Sequence, residues 1–370
     1  MSTTVPFLEV PNEFNKERKQ SDSPIRINGQ KKLASSKYDF VKVKVSVEKH
    51  YYILSRFIVS RILTAVNVHY TDSVKVSLEL KKKLVDLNRL DVTQAELEQH
   101  LFMILRSYKY GEVPIQRYKL MTRFHQKRVP LMILMFGTGC VGKSTLATQL
   151  GERLNIPNVL QTDLVLDLVS SLNTSAPSIP VWFKQHQSKH SYLEQYKKEC
   201  IFMRDALDGD INKCLEEGKA IIIEGSHIDP NLIVDLIKTR SFRFEGNNKS
   251  FRDIYQEDVE SEVTSAEPKK GLILAFFLRI QKKEEHELFF EQWLSSRSNV
   301  GSIQSLGSNF DEKLISLSNN FKHIQEYLDQ QNTDFAAHIN VNLHKLDETL
   351  DRMHTDVLTN IERAYQEYAF

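Results

Sequence analysis

At 370 residues, with 41% hydrophobic residues and a net charge of +1, the chain has core material for one large domain or two moderate ones. The balanced charge excludes a bulk field for nucleic acid or a membrane surface, so an anionic ligand has to be caught by local positive charge. Cys140, Cys200 and Cys214 form no metal or disulfide spacing, the first residues lack a signal-peptide pattern, and the longest apolar runs are too short for a bilayer; a cytoplasmic protein is expected.

Residues 1–37 are polar without an apolar period and read as a disordered tail. Residues 38–125 read as a helical module. In its first helix, Leu54, Phe57, Ile58, Ile62 and Ala65 share a face. A second helix is expected over about 72–87. A third starts at Thr93, where Thr93-Gln94-Ala95-Glu96 makes a capping box. A fourth starts near Pro114 and ends in Arg117, Lys119, Arg123, Lys127 and Arg128. That basic cluster is either a solvated face or a phosphate-attracting flank.

From about residue 130, strands alternate with helices, which predicts a parallel sheet covered on both faces. Five strands are expected, at roughly 131–136, 158–162, 220–224, 271–278 and 336–341. A polar insertion is expected at about 243–270, and a lid at about 281–309.

The run Gly137-Thr138-Gly139-Cys140-Val141-Gly142-Lys143-Ser144 fits G-x-x-x-x-G-K-[ST] between an apolar strand and a helix start at Thr145. Glycines let backbone N–H groups wrap around phosphate oxygens, and the helix N-terminus favours the negative charge. Lys143 is the expected contact to the β- and γ-phosphates of ATP, and Ser144 the expected ligand of Mg²⁺.

Ligands of open parallel sheets gather at the carboxyl ends of the strands. Two further strand ends are polar. Gln161-Thr162-Asp163 offers Asp163 as general base, or as the cap of a helix beginning at Leu164. Glu224-Gly225-Ser226-His227 offers Glu224 as a second holder of Mg²⁺, with Gly225 leaving the backbone open to a ligand. His227 and Asp229 follow as substrate candidates, His227 being a phosphate donor or a loop histidine bonded to backbone. A phosphorylated acceptor needs arginine forks, and Arg204, Arg279 and the lid residue Arg297 are the candidates, each also readable as a surface ion-pair partner.

These segments resemble the 2-phosphoglycerate kinase family, and within it the plant and protist low-phytic-acid kinase-like branch. The resemblance rests on residues 137–144, on Asn158-Val159-Leu160-Gln161-Thr162-Asp163, and on Ile221-Ile222-Ile223-Glu224-Gly225-Ser226-His227-Ile228-Asp229-Pro230. Tyr52-Ile53-Leu54-Ser55-Arg56-Phe57 and Arg117-Tyr118-Lys119-Leu120-Met121-Thr122-Arg123-Phe124-His125 are also similar. The resemblance implies a P-loop kinase fold, a five-stranded parallel sheet flanked by helices, over about 126–370. It also implies that residues 38–125 are similar to an ATP-cone, a module that binds a regulatory nucleotide. The implied reaction is ATP-dependent phosphorylation of 2-phosphoglycerate to 2,3-bisphosphoglycerate. The plant branch points instead to inositol phosphate metabolism.

Two departures bear on the acceptor. The family often has an arginine shortly after the position of Asp163, and 164–171 contains none. Microbial members tend to carry arginines after the position of His286, where this chain has Glu287-Leu288-Phe289-Phe290. A nucleotide-binding regulator without turnover is therefore the alternative reading. A toxin-like or polynucleotide kinase is a third, opposed by the near-neutral charge. The expected partner is a small phosphorylated metabolite rather than nucleic acid or a membrane, and homo-oligomerisation stays open.

Overall fold

The computed structural model describes residues 37–47, 50–172, 180–240, 242–244, 271–280, 282–297, 310–331 and 333–368. Residues 1–42 and 43–370 are two compact units. In the first, the described part contains a one-turn helix, α1 (Lys37–Phe40). The expected tail otherwise lies outside the described residues.

The second unit opens with β1 (Lys44–Val47), β2 (His50–Ile53) and, further on, β3 (Asp91–Thr93). They form a small sheet in the order β2–β1–β3, with β2 antiparallel and β3 parallel to β1. These strands correct the all-helical expectation. Four helices surround them: α2 (Arg56–Ala65), α3 (Tyr70–Asp86), α4 (Gln94–Ser107) and α5 (Glu112–Gln126). Ser55 caps α2 through the Ile58 N–H. The capping box of α4 is complete: the Glu96 N–H donates to Thr93 Oγ1 and the Thr93 N–H to Glu96 Oε2. Pro114 sits in the first turn of α5, where its missing N–H costs nothing. The docking face of α2 is Val59, Leu63 and Ala65; Phe57 and Ile58 face outward, contrary to expectation. An apolar stripe at a different phase of the helix meets the core.

The main sheet contains β4 (Leu131–Phe136), β5 (Val159–Gln161), β6 (Ala220–Gly225), β7 (Phe242–Phe244), β8 (Gly271–Arg279) and β9 (Ala337–Asn340). Its order is β5–β6–β4–β8–β7, and every pairing is parallel. All five expected strands are present. The short β7 is an additional strand at the head of the expected insertion; residues 245–270 lie outside the described residues. Strand β4 occupies one edge of β8, so β7 and β9 share the other edge, β7 on Gly271, Leu272 and Ile273 and β9 on 276–279.

The period of two divides the core cleanly. Leu131, Ile133 and Met135 of β4 point to one side with Leu272, Leu274, Phe276 and Leu278 of β8. There they meet α6 (Lys143–Leu154), α12 (Leu346–Tyr368) and the helices of 56–126, so one apolar core runs from Val43 to Ala364. Met132, Leu134 and Phe136 point to the other side with Ile273, Ala275 and Phe277. They pack under α7 (Thr162–Leu172), α8 (Lys189–Glu217), α9 (Pro230–Arg240), α10 (Lys283–Arg297) and α11 (Phe310–Gln330). Phe136 stacks on Phe277 with ring centroids 5.1 Å apart.

The basic end of α5 is not a phosphate flank. It lies where β4 begins, and the glycine loop lies where β4 ends, about 20 Å along the strand. Arg117 is bound to Glu362 of α12 at 2.8 Å, and Lys119 and Lys127 lie over the rings of Phe102 and Tyr365.

Candidate phosphoryl-transfer site

Strand β4 delivers the chain into the loop 137–142, and α6 begins at Lys143. Gly142 has φ +79°, a left-handed turn that glycine adopts without strain, and it aims the first N–H groups of α6 into the loop. The loop is held from outside by α10 and α11. Thr138 Oγ1 donates to the Phe321 carbonyl at 2.7 Å, and Gly139 abuts the Phe321 ring so closely that a Cβ there would overlap it. His286 Nε2 donates to the Gly139 carbonyl at 2.8 Å, which puts its proton on that nitrogen. Burial lowers the His286 pKa and favours the neutral ring.

Lys143 is buried, and its ammonium donates to the Thr138 carbonyl at 2.6 Å and to Ser226 Oγ at 3.1 Å. Glu224, two residues before Ser226, is buried beside it. Burial chiefly raises the Glu224 pKa; the Lys143 charge and a hydrogen bond from Ser144 oppose that, and the Asp163 charge adds to it. The three expected phosphate and metal residues therefore meet at one place, Lys143 and Ser144 from the start of α6 and Glu224 from the end of β6. The pairing of Gln161 with Glu224 in adjacent strands brings Asp163 to the same end of the sheet.

Asp163 is the second residue of α7, which starts at Thr162, so the expected cap of a helix beginning at Leu164 does not arise. Its side chain is 60% exposed, with Oδ1 3.6 Å from Nδ1 of His227. Gly225 has a role other than the open backbone expected of it. A Cβ there would overlap Thr162 Oγ1, so glycine lets β6 pass close to the start of α7.

His227 is completely buried beneath Asp163 rather than open to a substrate, and it does not follow the backbone-bonded alternative. Its Nε2 lies 3.4 Å from Oε2 of Glu199, a carboxylate 1% exposed within α8. Glu199 Oε2 also accepts the Val181 N–H at 2.8 Å, and Oε1 accepts from Lys184 at 3.1 Å. Burial works against the Glu199 charge, but His227, the Val181 N–H and Lys184 together leave its pKa lowered. The Trp182 ring covers His227 at a centroid distance of 4.5 Å. Asp229 is occupied structurally: it accepts from Tyr327 at 2.7 Å and from the Asn231 N–H at 2.8 Å, where α9 starts.

The arginines lie apart from this cluster in their bonding. Arg204 donates to Asp205 at 3.0 Å and to Asp235 at 3.4 Å. Arg279 ends β8 and donates to Asn340 at 3.0 Å, with Asp329 at 3.5 Å. Arg297 is the last residue of α10; its side chain, and residues 298–309 of the expected lid, lie outside the described residues.

Glu199, Lys184 and Trp182 escaped sequence reasoning. One signal was present for Glu199. Tyr192, Tyr196, Cys200, Met203 and Leu207 mark the buried stripe of α8, and a carboxylate stands inside it.

Among the described residues no cluster of three or more His, Cys, Asp or Glu side chains could hold a metal ion. The donor set nevertheless fits Mg²⁺. That ion needs only one or two protein oxygens when phosphates and water complete its shell, and the Ser144 hydroxyl lies beside the buried Glu224 carboxylate.

No protein-family model matches the chain. Curated relatives do. The 2-phosphoglycerate kinase of Methanocaldococcus jannaschii is 28% identical over 190 residues, 49% of this chain and 60% of that protein. Those of Methanopyrus kandleri and Pyrococcus horikoshii are 27% and 28% identical, over 53% and 48% of this chain and 62% of each of those proteins. The chain thus spans about three fifths of the length of the relatives it matches. Solved structures align only distantly. A tRNA isopentenylpyrophosphate transferase from Bacillus halodurans has a TM-score of 0.38 at 11% identity, covering 65% of this chain and 100% of that one. Shikimate kinase from Acinetobacter baumannii has a TM-score of 0.33 at 14% identity, covering 63% and 94%. Likenesses of that size carry no argument. The sequence relatives do: over half its length, this chain is similar to proteins named 2-phosphoglycerate kinase.

Proposed function

We propose that the chain transfers the γ-phosphoryl group of ATP to a hydroxyl of a small phosphorylated metabolite, with 2-phosphoglycerate the first candidate acceptor and 2,3-bisphosphoglycerate its product. The observation that carries the reading is the meeting of Lys143, Ser144 and Glu224 at the mouth of the glycine loop. Phosphoryl transfer asks little covalent chemistry of a protein; it asks for positioning and charge neutralisation. Loop N–H groups and the start of α6 bind the phosphates. Lys143 exchanges the Thr138 carbonyl and Ser226 hydroxyl for β- and γ-phosphate oxygens. Ser144 and Glu224 would hold Mg²⁺, which when bound would supply further charge neutralisation for the phosphates. Asp163, exposed at the adjoining strand end, accepts the proton of the acceptor hydroxyl. Arg279 and Arg297 are the proposed sources of positive charge for the acceptor's own phosphate, whereas Arg204 is held by Asp205 and Asp235.

The test is an isotope-labelled ATP screen against 2-phosphoglycerate and a set of inositol phosphates, with Lys143→Ala as the control. Label in 2-phosphoglycerate supports the first candidate. Label only in an inositol phosphate moves the acceptor to that class. ATP binding without any labelled product overturns the kinase reading in favour of a nucleotide-binding regulator.

A further inference from the structure

We propose that His227 and Glu199 are a buried positioning pair for Asp163 and supply the proton it collects with an acceptor that forms only during the reaction. The proposal rests on the phosphoryl-transfer reading above. Three elements supply the parts: α7 carries Asp163, α8 carries Glu199, and the loop after β6 carries His227.

The imidazole is the unexplained member. It is completely buried, and neither ring nitrogen makes a hydrogen bond of ordinary geometry. Buried polar atoms are nearly always paired, so two open nitrogens on one ring call for a reason. Among the described residues, the charged groups close to it are two carboxylates, Glu199 Oε2 at 3.4 Å from Nε2 and Asp163 Oδ1 at 3.6 Å from Nδ1. The two carboxylates are not equivalent. Glu199 is fixed by the Val181 N–H and by Lys184, and it cannot turn away. Asp163 is largely exposed. Trp182 covers the ring and keeps it from rotating out.

Glu199 accepts only, so it selects the tautomer with hydrogen on Nε2. Nδ1 then faces Asp163 Oδ1 with a lone pair. Two acceptors face each other, which accounts for the open 3.6 Å distance. The reaction changes this. The acceptor's O–H bond breaks, its oxygen forms the bond to the γ-phosphorus, and the bond from that phosphorus to ADP breaks. The proton goes to Asp163 Oδ1, which becomes a donor to Nδ1. It leaves to solvent when Asp163 swings back. The bond is absent in the ground state and present once the proton moves, so it accelerates the chemical step rather than tightening binding.

The experiment compares His227→Asn, Glu199→Gln, Asp163→Asn and the two double variants that contain Asp163→Asn, reading kcat, acceptor KM and calorimetric ATP affinity. His227→Asn should lower kcat roughly tenfold to a hundredfold, the scale of a misaligned catalytic group. Acceptor KM and ATP affinity should hold. Glu199→Gln keeps the shape and guards against a folding failure of His227→Asn; it should lower kcat in the same sense. In the Asp163→Asn background neither change should lower kcat further. A structural role predicts the opposite, losses that multiply, and multiplying losses overturn the proposal while leaving the kinase reading intact. A wild-type protein that labels no acceptor overturns the kinase reading, and this proposal with it.

Discussion

The two faces of the main sheet are covered with the same kinds of apolar residue and differ in what is buried among them. On the face under α6, α12 and the helices of 56–126, buried polar groups such as Ser73 and His354 are bonded to nearby backbone. Ser73 donates to the Val68 carbonyl, and His354 Nε2 donates to the Ala65 carbonyl at 2.8 Å. On the face under α8, α9 and α11, buried polar groups are bonded to one another or aimed at the strand ends: Glu199, His227, Asp229, Tyr327 and Ser226. Unreturned burial of charge is costly, so a sheet face that tolerates it has a use for it. The proposed site lies where the two faces meet, at the strand ends, with Lys143 from the start of α6 bonded to Ser226 at 3.1 Å.

The largest expected effect strikes the strand ends, where the start of α6 meets the polar groups of the second face. Lys143→Ala should reduce phosphoryl transfer roughly a hundredfold to a thousandfold, the scale of losing one preorganised charged donor, and weaken ATP binding with little change in folding. Calorimetric titration and a steady-state assay read both quantities. Equal ATP affinity in variant and wild type would sink the assignment of the loop as the phosphate site.

The converse variant breaks the first face. Leu63 is fully buried in the core under α2. Leu63→Ala should cost about 2–5 kcal/mol in urea unfolding while kcat of the folded protein holds. A fall in kcat at full folding would mean that the two faces are coupled and that the division drawn here is wrong.

Acid should separate the faces by degrees. Burial lowers the pKa of His354 on the first face and of His286 beside the glycine loop. A histidine whose native pKa is depressed binds fewer protons folded than unfolded, so stability falls as pH drops below the unfolded value of about 6.5. Glu199 is also depressed, and its contribution is present above the unfolded value of about 4.3 and lost as pH falls through the native one. Stability should therefore decline in two windows, the upper from histidines and the lower from Glu199. Urea midpoints between pH 8 and about pH 2.5 check this; His354→Gln should flatten the upper decline, and Glu199→Gln only the lower.

The glycine loop was legible because its residues are contiguous and its strand and helix flank it in sequence. The strand ends were legible for the same reason. What lay beyond reading was which ends become neighbours. Strand β6 stands between β5 and β4, an order that chain sequence does not dictate, and it is this order that sets His227 under Asp163. Strand β1 was missed for a different reason. Val43-Lys44-Val45-Ser46-Val47 alternates with period two, but the strong helical pattern that follows overrode so short a run. The misplaced face of α2 arose because Phe57 and Ile58 are the larger apolar residues, whereas packing against α3 selected Val59 and Leu63.

The smallest expected effect tests where the chemical face ends. Arg204 lies on α8 one turn beyond Cys200, with Asp205 and Asp235 as its carboxylate partners. All three side chains are substantially exposed, and exposed ion pairs contribute between nothing and about 1 kcal/mol. Arg204→Ala should therefore leave the urea midpoint nearly unchanged. Its effect on turnover depends on whether the guanidinium leaves Asp205 and Asp235 for the acceptor. Two carboxylates already neutralise it, and a substrate phosphate must displace at least one of them. The expected outcome is an unchanged kcat and acceptor KM, which confines the chemistry to the cluster around Lys143, Glu224 and Asp163. A rise in acceptor KM at constant kcat would instead extend the chemical face along α8 to Arg204, because loss of a contact made equally in the ground and transition states raises KM alone.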